Sequence, residues 1–107
     1  MFMKKNDILR EIKRTAKAVL PKGGQLILYG SRARNEATKD SDWDLLILLD
    51  KSRIEQQDYQ HVLYPIAALS WDLGELISPV MYSKDEWEKI SFTPFYKNVE
   101  QDGIRLV

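Results

Sequence analysis

The chain contains no cysteine, which excludes disulfides, thiolate metal sites and thiol nucleophiles. It also lacks an excess of either charge, with 16 Lys and Arg against 16 Asp and Glu, so it has no basic surplus of the kind typical of nucleic-acid-binding or membrane-surface proteins. No apolar run approaches the ~20 residues of a membrane-spanning helix, and the polar start of the chain does not resemble a signal peptide. We therefore expect a cytoplasmic protein without a membrane segment.

The length and the apolar pattern predict one domain over residues 1–107, because a chain this short has no room for a second core. Apolar side chains recur at three- and four-residue steps in the first segment, which indicates an amphipathic helix with Asn6 or Asp7 as its N-cap. The predicted elements of the first half are a helix over 6–20, a strand over 25–29, a loop with one helical turn over 30–41 and a strand over 43–49. The last of these is apolar on both faces, which predicts a central position in a sheet.

The second half continues the same alternation. The predicted elements are a helix over 52–69, a strand over 75–82, a short helix that begins at Ser83 and a last helix that begins at Thr93 and ends at Gly103. Pro65 should kink or break the first of these helices, and Pro79 predicts an edge or irregular position for the strand. Ser83 and Glu86 have the spacing of a capping box. The fold class is therefore α/β (α+β), with helices packed on a small mixed sheet.

A glycine and a serine directly follow the first predicted strand. Gly30 allows backbone amides to approach a ligand closely, and amides at such a turn form an anion site. Ser31 adds a hydroxyl donor, while Arg32 and Arg34 carry forked donors that suit phosphate oxygens. A turn of this kind alone is usually only a turn, and the two arginines alone are typical of paired surface charges.

Two aspartates open the second strand. Asp42 and Asp44 are two residues apart, so their side chains project from the same face of an extended chain, and Trp43 between them points into the core. Carboxylates beside phosphate donors suit Mg²⁺, and a divalent site can activate a hydroxyl and stabilise a pyrophosphate leaving group. Such a pair alone is more often a solvated strand end. Beside the turn at Gly30 it indicates phosphoryl or nucleotidyl transfer.

The combined motif resembles that of the DNA polymerase beta-like nucleotidyltransferase superfamily. Gly30-Ser31 is followed by ten residues and then by Asp42-x-Asp44, and Ala33-Arg34 and Ser41-Asp42-x-Asp44-Leu45 also agree with the family pattern. The short chain is similar to the minimal nucleotidyltransferases of this superfamily, including the antitoxin partners of HEPN-domain toxins. It departs from the pattern at Asn35, where the family commonly has a second glycine, although asparagine tolerates a left-handed backbone.

The resemblance implies a nucleotidyltransferase fold and a site that uses Mg²⁺ and ATP. Its nucleotide-binding residues would be Gly30, Ser31, Arg32, Arg34 and Ser41, and its catalytic metal ligands would be Asp42, Asp44 and a third carboxylate on a later strand. Asp72 and Glu75 are the candidates for that third ligand. We favour Glu75 because it lies at the start of the predicted strand, whereas Asp72 belongs better to the preceding helix; an exposed strand-edge charge is the alternative for Glu75.

The resemblance also implies an acceptor hydroxyl, and three hypotheses follow. The leading one is transfer of AMP from ATP to a tyrosine or serine of a partner protein, such as a HEPN-type toxin, because the chain lacks the second domain that usually holds a small acceptor. The second is a binding module that silences its partner by occlusion without catalysis. The third is a small-molecule transferase of the aminoglycoside-modifying kind that acts as a homo-oligomer or with a separate acceptor-binding subunit.

Overall fold

The computed structural model describes residues 4–107 and orders their strands β3-β2-β1-β4 in one sheet. The strands are β1 (Gln25–Tyr29), β2 (Trp43–Leu49), β3 (Ile77–Ser83) and β4 (Ile104–Arg105). β1 is antiparallel to both β2 and β4, and β2 is parallel to β3. The mixed sheet predicted from the sequence is therefore confirmed, with β2 inside it and the proline-containing β3 at its edge.

Helices cover both faces of this sheet. They are α1 (Lys5–Val19), α2 (Gln56–Asp58), a π-helical segment (Tyr59–Leu63), α3 (Tyr64–Ala67), α4 (Leu69–Leu73), α5 (Lys84–Lys89) and α6 (Pro94–Asp102). The first part of the core joins one face of β2, through Trp43, Leu45 and Ile47, to α1 and α3. The second joins Leu46 and Leu48 to α5 and α6. This double coverage explains the continuous apolar run of β2.

The long helical segment differs from its prediction at both ends. It begins at Gln56 and ends at Leu73, where Gly74 with a φ of 66° caps α4, whereas the sequence predicted 52–69. Pro65 lies in the first turn of α3, directly after the π-helical segment. Proline has no N–H to donate to the preceding turn, and the helix type changes from π to α just before it. The predicted break does not occur, because the chain continues through Pro65 in helical conformation.

The capping predictions succeed where a side chain can reach a nearby amide. Ser83 and Glu86 exchange hydrogen bonds of 3.0 Å each as a capping box, and the Thr93 hydroxyl accepts from the Tyr96 amide. The N-cap prediction for α1 was wrong, because the helix begins one residue earlier and Lys4 is its cap residue without a side-chain bond. The two-residue β4 was missed because it is too short to show a period. None of the helices in the described part of the chain is long and apolar enough to span a membrane.

Candidate active site

The β1–β2 ladder brings the predicted turn and the predicted carboxylates together. Tyr29, the last residue of β1, pairs with Asp44, so the chain leaves the sheet at Gly30 directly beside the start of β2. Gly30 has a φ of +76°, and a Cβ atom built on it would collide with the Asp44 carboxylate oxygen Oδ2. Glycine is required here for two reasons, since the backbone is left-handed and the carboxylate occupies the space of a side chain.

Residues 30–35 form a compact helical turn. The Gly30 carbonyl accepts from the amides of Ala33 and Arg34, at 3.0 and 3.3 Å. Asn35 ends the turn with a φ of 59°, so asparagine adopts the left-handed conformation expected where the family commonly has glycine. No hydrogen bond among residues 4–107 engages the amides of Ser31 and Arg32, which leaves two donors at the start of the turn for an anion.

The two aspartates share one face of the sheet and affect each other. Burial, and then the charge of Asp42, raise the pKa of Asp44, while Arg34 opposes this shift. Asp42 is exposed, and its Oδ2 accepts a hydrogen bond of 3.0 Å from the Ser78 hydroxyl on β3. Burial and the neighbouring carboxylate thus both disfavour the ionised form of Asp44, and a cation bound here would favour it.

Arg34 is the cation that the structure places near this pair. Its guanidinium forms ion pairs with Glu36 at 3.2 Å and with Asp102 of α6 at 3.6 Å, and its charge acts on Asp44. It remains partly exposed, so phosphate oxygens can reach its remaining donors. Asp102 is a participant that the sequence did not suggest, because only the packing of α6 against β1 brings it near the turn.

Arg32, unlike Arg34, fixes the conformation of the loop between β1 and β2. Arg32 is buried, and its Nε and Nη2 donate to the Ser41 carbonyl at 3.2 and 2.8 Å. Its guanidinium carbon lies 4.2 Å from the ring centre of Trp43, on the face of β2 opposite to Asp44. Ser41 closes the far end of the loop, since its hydroxyl accepts from the Thr38 amide at 2.9 Å. Two of the five residues predicted to bind nucleotide, Arg32 and Ser41, are thus engaged in fixing the loop.

The structure does not bring Glu75 to the aspartates. Its Oε1 accepts from the Trp43 indole at 3.1 Å and lies 3.9 Å from Arg32 Nη2, so it belongs to the opposite face of β2. It also precedes β3, which begins at Ile77 rather than at residue 75. Asp72 lies in α4, where the sequence placed it, and is exposed. Within residues 4–107 no group of three or more His, Cys, Asp or Glu side chains is arranged to hold a metal ion.

Tyr29 on β1 is the residue that pairs with Asp44 on β2. Burial, and then the charges of Asp44 and Tyr82, raise its pKa to about 12, so its hydroxyl stays neutral near pH 7. The ring packs edge-on against Phe95 at a centroid distance of 5.4 Å. Phe95 in turn packs against Trp87 of α5 at a centroid distance of 5.4 Å, so the strand beside Asp44 is held against α5 and α6.

A large groove lies apart from the carboxylates. It has a volume of about 880 Å³ and is lined on the Trp43 side of the sheet by Arg32, Trp71, Glu75 and Leu76, among others, but not by Asp42 or Asp44. The candidate site is the end of the β1–β2 ladder, at Gly30 and the aspartate pair. It combines amide donors, a guanidinium and two carboxylates, which together suit a polyphosphate and a divalent cation.

Comparison with known proteins agrees with this chemistry. The model of the nucleotidyltransferase domain family matches residues 8–106. The candidate protein adenylyltransferase MJ0141 of Methanocaldococcus jannaschii is 31% identical over 101 residues, which cover 94% of this chain and 96% of that protein. A second candidate protein adenylyltransferase of the same organism, MJ0604, is 30% identical over 79 residues, 74% of this chain and 73% of its own length.

A solved structure supports the fold. A chain from a crystal structure of a toxin–antitoxin with AMP-PNP superposes with a TM-score of 0.64 at 17% identity, covering 97% of this chain and 73% of that one. The agreement of fold, motif and family model leads to one conclusion. The chain belongs to the nucleotidyltransferase domain family.

Proposed function

We propose that the chain transfers an adenylyl group from ATP to a hydroxyl of a partner protein, with Mg²⁺ as the cofactor and the cytoplasm as its location. The observation that carries the proposal is the contact between Gly30 and the Asp44 carboxylate, which joins an anion-binding turn to an acidic pair. The two relatives named as candidate protein adenylyltransferases support AMP as the transferred group and a protein as the acceptor. The toxin–antitoxin neighbour supports a toxin as the partner, and a HEPN-type toxin is the class we propose.

The residues present fit a magnesium nucleotide. The amides of Ser31 and Arg32 and the guanidinium of Arg34 would bind phosphate oxygens. Asp42 and Asp44 would hold Mg²⁺, which prefers carboxylate, water and phosphate oxygens. When bound, Mg²⁺ supplies neutralisation of phosphate charge and polarisation of the reacting phosphate. The half-buried position of Asp44 strengthens such contacts, because water screens them less than at an exposed site.

The transfer itself is a substitution at phosphorus. The acceptor oxygen forms a bond to the α-phosphorus of ATP, the bond from that phosphorus to the oxygen bridging the β-phosphate breaks, and pyrophosphate leaves while the acceptor loses its proton. The turn at Gly30 and Arg34 would orient the triphosphate so that the leaving group faces away from the acceptor. Arg32, by fixing the loop from its buried side, would keep the turn amides in place.

The test follows the label on ATP. The protein is incubated with Mg²⁺, the protein encoded by its neighbouring gene and ATP labelled at either the α- or the γ-phosphate. We expect label on the partner from α-labelled ATP only. Asp44→Asn should abolish the transfer, and Asp72→Asn, at an exposed position of α4, should leave it intact. Transfer from γ-labelled ATP, or equal labelling by Asp44→Asn, would contradict the proposal.

The same experiment separates a non-catalytic module from an enzyme. One observation supports the non-catalytic module: Glu75 bonds to the Trp43 indole on the opposite face of β2, so among the described residues it does not join Asp42 and Asp44 as a third carboxylate. If wild type forms a stable complex with the partner without labelling it, and the double Asp42→Ala, Asp44→Ala variant still forms that complex, occlusion without catalysis would be favoured. Pyrophosphate release with an aminoglycoside or sugar acceptor would instead favour the small-molecule transferase.

A further inference from the structure

We propose that Ser78 is a positioning residue that orients Asp42 for the cation, an inference that rests on the proposed function. The β2–β3 register pairs Asp44 with Ser78, so β3 contributes this side chain to the same row as the aspartates. Its hydroxyl donates to Asp42 Oδ2 at 3.0 Å. No other hydrogen bond of the Asp42 carboxylate occurs among the residues that the structure describes.

Asp42 needs such a partner because of where it lies. It precedes β2, which begins at Trp43, and its side chain is exposed, so neither ladder bonds nor packing fix its rotamer. Asp44, by contrast, is inside the ladder and packs against Gly30. A hydrogen bond from a neighbouring strand therefore selects, for Asp42, a rotamer that faces the same site as Asp44. Ordering the carboxylate before binding lowers the entropy lost when a ligand arrives.

A hydroxyl also has the right charge for this position. Ser78 engages one carboxylate oxygen and leaves the other for a cation, as partners of metal ligands do. A third carboxylate in the same place would add negative charge beside Asp42 and Asp44, which already repel each other. The side chain that β3 contributes to this site is thus a neutral hydrogen-bond donor, and the negative charge of the site comes from the two aspartates.

The test measures cation binding rather than turnover. Mn²⁺ is titrated into the full chain in the presence of ATP, free Mn²⁺ is followed by electron paramagnetic resonance, and the same titration without protein is subtracted because ATP itself binds Mn²⁺. We expect Ser78→Ala to weaken Mn²⁺ binding by about tenfold, the low end for loss of a partner of a metal ligand. Ser78→Thr keeps the hydroxyl and suits a strand, so it should stay within about twofold of wild type.

Ser70→Ala is the matched control. The Ser70 hydroxyl accepts from the Ile77 amide at 3.1 Å, so its loss loosens the start of β3 without touching the aspartates. We expect unchanged Mn²⁺ affinity for this variant. A similar weakening in Ser70→Ala and Ser78→Ala would assign the effect to β3 as a whole and overturn the positioning role.

The remaining outcomes separate this inference from the proposed function. Wild-type affinity in Ser78→Ala, with normal binding of Mn²⁺ and ATP by wild type, overturns the role of Ser78 alone. Absence of Mn²⁺ binding to wild type in the presence of ATP overturns both. Weakened binding in Ser78→Ala that Ser78→Thr restores supports the role, because rescue by a hydroxyl identifies the hydrogen bond as the cause.

Discussion

Replacing Gly30 with alanine tests the contact on which the site depends. An L-residue with a left-handed backbone costs ~1–2 kcal/mol, and the reduced freedom of the unfolded chain offsets ~0.4–1 kcal/mol of this. The new Cβ would also collide with Asp44 Oδ2 and lie 3.2 Å from Asp44 Cγ. Rotation can move the oxygen, but an off-rotamer side chain costs ~0.5–1.5 kcal/mol. We expect a total loss of about 2 kcal/mol in the free energy of unfolding.

Two other glycines provide matched controls. Gly74 has a φ of +66°, and apart from its chain neighbours a Cβ there would meet no described atom within 4 Å, so Gly74→Ala should cost about 1 kcal/mol from the backbone alone. Gly23 has a φ of +82° and a Cβ there would lie 2.7 Å from Asp50 Oδ2. Gly23→Ala should therefore match Gly30→Ala in stability, but at a position remote from the aspartate pair.

The assay combines urea denaturation with binding of ATP in the presence of Mg²⁺. All three variants should unfold at lower urea concentration, while only Gly30→Ala should lose binding, because only there does the collision displace a proposed metal ligand. In an Asp44→Ala background, Gly30→Ala should cost no more than Gly74→Ala. Wild-type binding by Gly30→Ala, or an undiminished cost in that background, would refute the argument that the turn and the carboxylate act as one unit.

Three further predictions concern the loop, the capping box and the metal. Arg32→Lys removes the forked contact with the Ser41 carbonyl and the stacking on Trp43, so the free energy of unfolding in urea should fall by about 2 kcal/mol. Unchanged stability would contradict the conclusion that Arg32 fixes the loop. The bond from the Ser83 amide lowers the pKa of Glu86, so its stabilisation is present above pH ~4.5 and lost as the pH falls through the lowered pKa; Glu86→Gln should flatten that acid decline in thermal unfolding. Addition of EDTA should abolish adenylyl transfer and Mg²⁺ should restore it, whereas transfer in EDTA would exclude a metal requirement.

The local chemistry of the sequence predicted most of the fold. The helix period, the apolar run of β2 and the caps at Ser83 and Thr93 depend on neighbours within a few residues. The sequence motif also predicted that the turn at Gly30 lies beside Asp44, and the antiparallel pairing of β1 with β2 brings the two together. The described structure confirms these expectations, including the edge position of the strand that contains Pro79.

The sequence could not decide which residue of β3 faces the aspartates. β3 is parallel to β2 and reaches it through a long helical connection, so its register depends on tertiary packing, and a shift of one residue exchanges the two faces. Glu75 was favoured over Asp72 because it lies at the start of the predicted strand, whereas the register places Ser78 beside Asp44. The orientation of the Arg32 side chain could not be predicted for a similar reason, since its burial depends on tertiary contacts with the Trp43 ring and the Ser41 carbonyl.

The cost of holding two carboxylates together leads to a last prediction, for Asp44→Asn. Burial and Asp42 raise the pKa of Asp44 in the folded chain. A raised carboxyl pKa means that the stability contributed by this group is complete below its unfolded pKa of ~3.9 and is lost as the pH rises through the folded value. At pH 7 the ionised group therefore destabilises the fold. Asparagine has nearly the same shape and carries no charge, so Asp44→Asn should raise the melting temperature by a few degrees at pH 7 and by progressively less below pH ~4.

Saturating Mg²⁺ and ATP should reverse that order. Ligands that bind only the folded state stabilise it by RT ln(1 + [L]/Kd), ~2.7 kcal/mol at 100 times Kd, and wild type should gain this while Asp44→Asn should not. Thermal unfolding of both proteins, with and without the ligands, gives the four values required. If Asp44→Asn is less stable than wild type without ligands at pH 7, the carboxylate stabilises the fold instead of straining it. The acidic pair would then be part of the structural framework, and its place beside the turn would no longer argue for a cation site.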